Sequence, residues 1–195
     1  MNPFRISSFF VLLYNLTKIF FMQRSFVKSA MNSGLIMGVI FSVNFLLSVP
    51  RITALVLITY VIAIFIVITM YRMAVRFRDT ECEGSITYGR AFLYILSTFF
   101  YAALISTVVK YIYFQFINPT YLENMFQESM KMMEKLKFPM TSVSADQMES
   151  MLKPVNYSFI YIWMNIIFGG LVGLVMAGFV KKEKSIFDNK GEIEN

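Results

Sequence analysis

Methionine sulfur is the most abundant potential metal ligand in this chain. Seven of the fifteen methionines fall between Asn118 and Asn156, and the pairs Met130/Met133 and Met148/Met151 each put two sulfurs on a shared helix face. Soft thioether pairs suit Cu(I). The same segment offers no histidine or cysteine to complete a copper set, and methionine serves equally as flexible apolar filler, the reading preferred here. A second cluster, Asp79, Glu81, Cys82 and Glu83, could hold a divalent ion, but a short polar turn between helices commonly has this composition. No cofactor is expected. Histidine is absent from the chain and all twelve acidic residues lie outside its apolar stretches. The usual general bases, the zinc ligand sets and the intramembrane proton carriers of coupled transport are therefore missing. The chain is not expected to be an enzyme.

Lys110 is the one ionisable side chain well inside an apolar stretch, and a charge at that depth is a site hypothesis by default. Asn44, Thr107 and Asn165 are the polar groups that could accompany it, and Asn44, Lys110 and Asn165 form the candidate intramembrane polar site. The simpler expectation is that Lys110, two turns from the outer end of its helix and beside Tyr111 and Tyr113, extends its stem to the headgroups.

The elements that must position these residues are four stretches of about twenty or more residues without a charge: Lys28 to Arg51, Arg51 to Arg72, Arg90 to Lys110, and Lys153 to Lys181. A hydrocarbon core roughly 30 Å thick is crossed by about 20 apolar residues at the helical rise. Composition agrees, with 57% hydrophobic, 17% aromatic and only 15% charged residues. The sequence therefore predicts an all-α integral membrane four-helix bundle, with spans near 29–49, 52–72, 91–117 and 157–180. Pro50 and Arg51 leave room only for a tight reversal between the first two spans. The net charge of +6 reflects basic residues that flank the spans, so nucleic acid is not an expected partner and membrane lipid is.

Arg24, Lys28, Arg72, Arg76, Arg78, Arg90, Lys181, Lys182, Lys184 and Lys190 lie on one side of these spans, against Arg51, Lys131, Lys135, Lys137 and Lys153 on the other. Ten against five places both termini and the 72–90 connection in the cytoplasm. The outer connection, 118–156, carries helix punctuation of its own. Thr120 with Glu123 is a capping pattern after Asn118-Pro119, and Leu122, Met125, Phe126, Met133 and Leu136 recur at helical spacing. Ser144 with Gln147 opens a second short amphipathic helix that carries Met148, Met151 and Leu152 up to Pro154. The domain plan is an N-terminal apolar and basic segment 1–23, a membrane domain 24–182 and a polar tail 183–195. Residues 1–23 read either as a basic helix in the cytoplasmic interface or as residues upstream of a true start at Met22. Lys28 sits where a signal-peptide cleavage site needs a small residue.

Gly34 and Gly38 form G-x-x-x-G in the first span, and Gly169 with Gly173 repeat it in the fourth, extended by Ala177. Small residues one turn apart let helix backbones approach closely, within the chain or between copies of a homo-oligomer.

Three segments together resemble the small four-span membrane proteins of Bacteroidota defined as domain of unknown function 4199: Ser33-Gly34-Leu35-Ile36-Met37-Gly38, Gly84-Ser85-Ile86-Thr87-Tyr88-Gly89-Arg90-Ala91, and Asn118-Pro119-Thr120-Tyr121-Leu122-Glu123. The resemblance covers about residues 24–182. It implies four membrane helices in a bacterial inner membrane and brings no activity. The expected role is a non-catalytic accessory or structural membrane component, alone or with a membrane-protein partner. The alternative is a small transporter or channel with a polar path past Asn44, Lys110 and Asn165.

Overall fold

The computed structural model describes residues 3–50, 52–135, 150 and 153–183, with side chains from Arg24 onward apart from that of Met133. Among the described residues five α-helices follow one another: α1 (Pro3–Ser48), α2 (Thr53–Glu81), α3 (Tyr88–Ile112), α4 (Tyr121–Lys135) and α5 (Pro154–Val180). Four segments, Arg24–Ser48, Thr53–Glu81, Tyr88–Ile117 and Pro154–Val180, are long and apolar enough to cross a membrane. Lipid offers no hydrogen bonds, so even the β-branched run of α2 from Val61 to Ile68 closes its backbone as a helix.

α3 is the central element. It runs parallel to α1, with Gly34 against Tyr101 and Gly38 against Ile105, and antiparallel to α5, with Gly169 against Phe99 and Gly173 against Phe92. In its most apolar stretch 44% of residues are buried, against 11% for α2. α2 joins the core mainly through Ile66, Met70, Ala74 and Phe77, one stripe at i, i+4, i+8 and i+11.

The observed helices outrun the predicted spans. α2 continues nine residues past Arg72 to Glu81, because Ala74 and Phe77 keep the buried stripe of Ile66 and Met70 in register beyond the end of the uncharged run. Arg72 and Arg76 lie on its exposed face. α1 is a single helix from Pro3, so residues 3–23 join the first span without a turn. The predicted helix after Pro119 is present as α4. Its Leu122 is buried and Met125 and Phe126 half-buried, while Glu123, Asn124, Gln127 and Glu128 are exposed. Thr120 donates its hydroxyl to Asn118 Oδ1 at 3.1 Å instead of capping the N3 amide, and the Asn124 amide donates to the Thr120 carbonyl at 3.0 Å. The second outer helix, with Ser144, Gln147, Met148, Met151 and Leu152, lies outside the described residues, as does the tail beyond residue 183.

Two aromatic clusters close the ends of the bundle. At one end Phe77 stacks on Tyr94 at 4.1 Å between centroids, Phe26 meets both rings edge-on, and the Ser33 and Tyr94 hydroxyls share a 2.7 Å hydrogen bond. At the other, Phe114 is edge-on to Tyr157 at 5.3 Å and to Phe45 at 5.6 Å, and stacks with Tyr121 of α4. Tyr94→Phe should cost about 1 kcal/mol by removing one buried hydrogen bond, and Phe77→Ala about 3–5 kcal/mol by opening a cavity, both read by thermal unfolding in detergent.

The turn after α2 is secured by tertiary contacts. Glu83 and Gly84 adopt positive φ (52° and 76°), and the Gly84 amide returns to the Arg78 carbonyl at 3.0 Å. Ile86 and Lys182 then exchange a reciprocal pair of backbone hydrogen bonds of 2.8 and 3.0 Å. Arg78 Nη1 donates to the Val180 carbonyl at 3.2 Å, and the Tyr88 hydroxyl donates to the Leu174 carbonyl at 2.8 Å. The 82–87 turn and the end of α5 therefore share one face of the bundle.

Candidate functional site

Lys110 does not extend to the headgroups as expected from sequence. Its residue surface is only 9% exposed, and its Nζ lies 3.1 Å from the centroid of the Tyr161 ring and 4.9 Å from that of Phe45. The reason is positional. Lys110 stands one turn before Tyr113 and Phe114, which anchor the outer cluster, so its stem emerges on the same inward face of α3. Phe45 of α1 and Tyr161 of α5 then offer electron-rich ring faces as substitutes for water. No described carboxylate pairs with it.

Immediately beyond, residues Tyr113–Ile117 form a π-helical turn, and the Asn118 amide reaches back five residues to the Tyr113 carbonyl at 2.9 Å. Pro119 requires Asn118 to leave the helix, and its φ of −141° and ψ of 81° do so. The wider turn sets Tyr113 and Phe114 both inward, leaving Phe116 and Ile117 exposed.

The other two predicted residues behave differently from Lys110. Asn165 turns back on its own helix, its Nδ2 donating to the Tyr161 carbonyl at 2.8 Å. It thereby fixes the turn that carries the ring over Lys110. Asn44 Oδ1 and Thr107 Oγ1 are buried without a hydrogen-bond partner among the described residues. Each orphaned oxygen costs roughly 1–3 kcal/mol unless a water or ligand reaches it. The site is thus a buried ammonium held by two rings, and the two unpaired oxygens are a separate feature of α1 and α3. The sequence reading missed Phe45 and Tyr161. Their signal was present as aromatic neighbours of the chosen asparagines, Phe45 beside Asn44 and Tyr161 one turn before Asn165.

The packing glycines all face α3. A Cβ on Gly169 would stand 2.6 Å from Phe99 Cβ and Cγ, one on Gly38 2.7 Å from Ile105 Cβ, and one on Gly34 3.1 Å from the Thr98 carbonyl. Gly173 is looser, at 3.3 Å from Phe92 Cδ2, and Ala177 is fully buried. Both small-residue motifs therefore serve contacts within one chain.

The acidic cluster is not assembled as a site. Asp79 Oδ1 accepts from Arg78 Nε at 2.8 Å, Glu81 accepts from the Ser25 hydroxyl, and Cys82 is buried, which pushes its thiol pKa up. Among the described residues no three of His, Cys, Asp and Glu converge. Met148 and Met151 lie outside the described residues, as does the side chain of Met133.

A cleft lies elsewhere, between α1 and α2 near the 82–87 turn, with a volume of about 1470 Å³. None of Asn44, Lys110 and Asn165 lines it. Its cations Arg24, Lys28 and Arg76 entered the sequence reading only as topology markers.

A family model described as "Protein of unknown function (DUF4199)" matches residues 32–182. The chain belongs to the DUF4199 family. The matched region begins within α1 and ends at Lys182, so it takes in both packing motifs, Lys110 with its rings, and the backbone bridge from Ile86 to Lys182. No curated protein and no solved structure matches the chain.

Proposed function

We propose that this multi-pass DUF4199 protein is a non-catalytic component of the inner membrane that works by contact with lipid and with another membrane protein or a second copy of itself. The observation that carries this reading is α2. Its Leu57, Tyr60, Val61, Ile64 and Phe65 are each more than half exposed, an apolar face that the rest of the described residues leave uncovered. Of the four membrane helices α2 has the smallest buried share, 11% of its most apolar stretch, so we assign the partner contact to it ahead of the outer face of α5. Affinity purification of the native protein in mild detergent tests this. A stoichiometric co-purifying membrane protein or a stable homo-oligomer is expected, and substitution of α2 face residues such as Val61→Trp should weaken it at least tenfold. A monomer with no partner overturns the reading.

Both termini and the 82–87 turn are assigned to the cytosol from the ten-to-five charge bias, and the backbone bridge between that turn and the end of α5 supports a shared side. In a Cys82→Ser background, Ser129→Cys in α4 should react with an impermeant thiol reagent in intact cells and Glu183→Cys only after lysis. The reverse pattern inverts the orientation.

The buried Lys110 favours a second reading, a small transporter or channel. Solute or ion flux in vesicles containing the purified protein, abolished by Lys110→Met, would select it over the accessory role.

A further inference from the structure

We propose that the cleft between α1 and α2 binds the phosphate headgroup of an anionic glycerophospholipid, with an acyl chain lying along α1. Arg24 and Lys28 are one turn apart on α1 and Arg76 faces them from α2, so two helices aim three cations at one space. All three are exposed, and none is ion-paired with a described residue. The one carboxylate in the lining, Glu81, is held by the Ser25 hydroxyl. Ser29 and Asn32 add hydroxyl and amide groups that can donate to phosphate oxygens. Such basic pockets between membrane helices fit anionic headgroups.

A free phosphate ion would fill only a small part of about 1470 Å³. The remaining wall is largely apolar, and its Ser33 and Tyr94 hydroxyls are hydrogen-bonded to each other. Val27, Met31 and Ile36 on α1 are 44%, 50% and 49% exposed, and Met73 and Phe77 face them from α2. A polar, cationic mouth above an exposed apolar wall matches a lipid and not a soluble anion. This assignment rests on the protein being membrane-embedded, but not on which compartment the cleft faces or on whether α2 has a protein partner.

The test is native mass spectrometry of the full-length protein purified in detergent and offered equal phosphatidylglycerol and phosphatidylcholine. Wild type should retain phosphatidylglycerol at least tenfold more, and equal retention overturns the proposal whatever the variants do. Each cation is worth roughly a fivefold change in binding near an anionic surface, so Lys28→Gln/Arg76→Gln should lose about twenty-fivefold. Lys181→Gln/Lys182→Gln removes the same charge outside the cleft and should lose less than about threefold, since exposed charge alone is screened. Equal losses for the two pairs mean general surface attraction and overturn the cleft assignment. Displacement of the lipid by millimolar inorganic phosphate or glycerol phosphate would overturn the lipid in favour of a soluble ligand.

Discussion

Gly169→Ala should be among the most destabilising single-methyl substitutions in the chain, whereas Gly178→Ala on the same helix should be neutral or stabilising. A methyl at Gly169 would meet Phe99 Cβ and Cγ at 2.6 Å, and that part of the side chain is fixed to the α3 backbone. Relief requires α3 and α5 to separate, and the cost of such overpacking is about 1–3 kcal/mol, occasionally more. At Gly178 nothing stands within 4 Å, so alanine brings only its helix preference of about 1 kcal/mol. Gly38→Ala should resemble Gly169→Ala, since its methyl would stand 2.7 Å from Ile105 Cβ, and Gly173→Ala should fall between. Thermal unfolding in one detergent ranks all four. Equal behaviour of Gly169→Ala and Gly178→Ala would mean that α5 does not pack on α3 through this stripe.

The second large effect is a difference in sign at Lys110. Lys110→Met keeps the length of the stem and removes a buried, unpaired ammonium, so it should leave stability unchanged or raise it by about 1–4 kcal/mol. Lys110→Glu puts an anion against the ring faces of Tyr161 and Phe45, which repel negative charge. It should cost about 3–5 kcal/mol and lower the yield of folded protein. Tyr161→Leu, which removes the nearer ring, should cost about 2 kcal/mol in the wild type and much less in the Lys110→Met background. Additive effects of Tyr161→Leu and Lys110→Met would show that the ring does not hold the ammonium. If Lys110→Met proves stabilising, the wild-type lysine is retained against a stability cost, and the flux measurement becomes the experiment to perform next.

Much of the architecture was legible because the signals for a membrane helix are local. Absence of charge over twenty residues identified all four spans, Asn118-Pro119-Thr120 marked the start of α4, and Lys181-Lys182 marked the end of α5. Span ends were less legible where charge and packing disagree. Arg72 ends the uncharged run, yet Ala74 and Phe77 carry the buried stripe of α2 almost to Glu81. The polar site was legible as a set of candidate residues but not as a geometry. Lys110 can reach either the headgroups or the interior by a change of rotamer, and the deciding partners, Phe45 and Tyr161, come from helices distant in sequence. The basic cleft was not legible at all, since Arg24, Lys28 and Arg76 carry the same charge whether they mark topology or converge on a ligand.

The sequence by itself determined the solvent of this protein, the number of its membrane helices and the small residues available for close packing, because each of these depends on composition within a single segment. Tertiary structure decided that α3 is central and α2 peripheral, that Lys110 turns inward, and that three cations meet between α1 and α2. The physical reason is that helices apolar on every side carry no amphipathic stripe to say which face is buried. In lipid that choice falls to shape, the fit of Gly38 against Ile105 and of Gly169 against Phe99, and shape exists only once the helices are together.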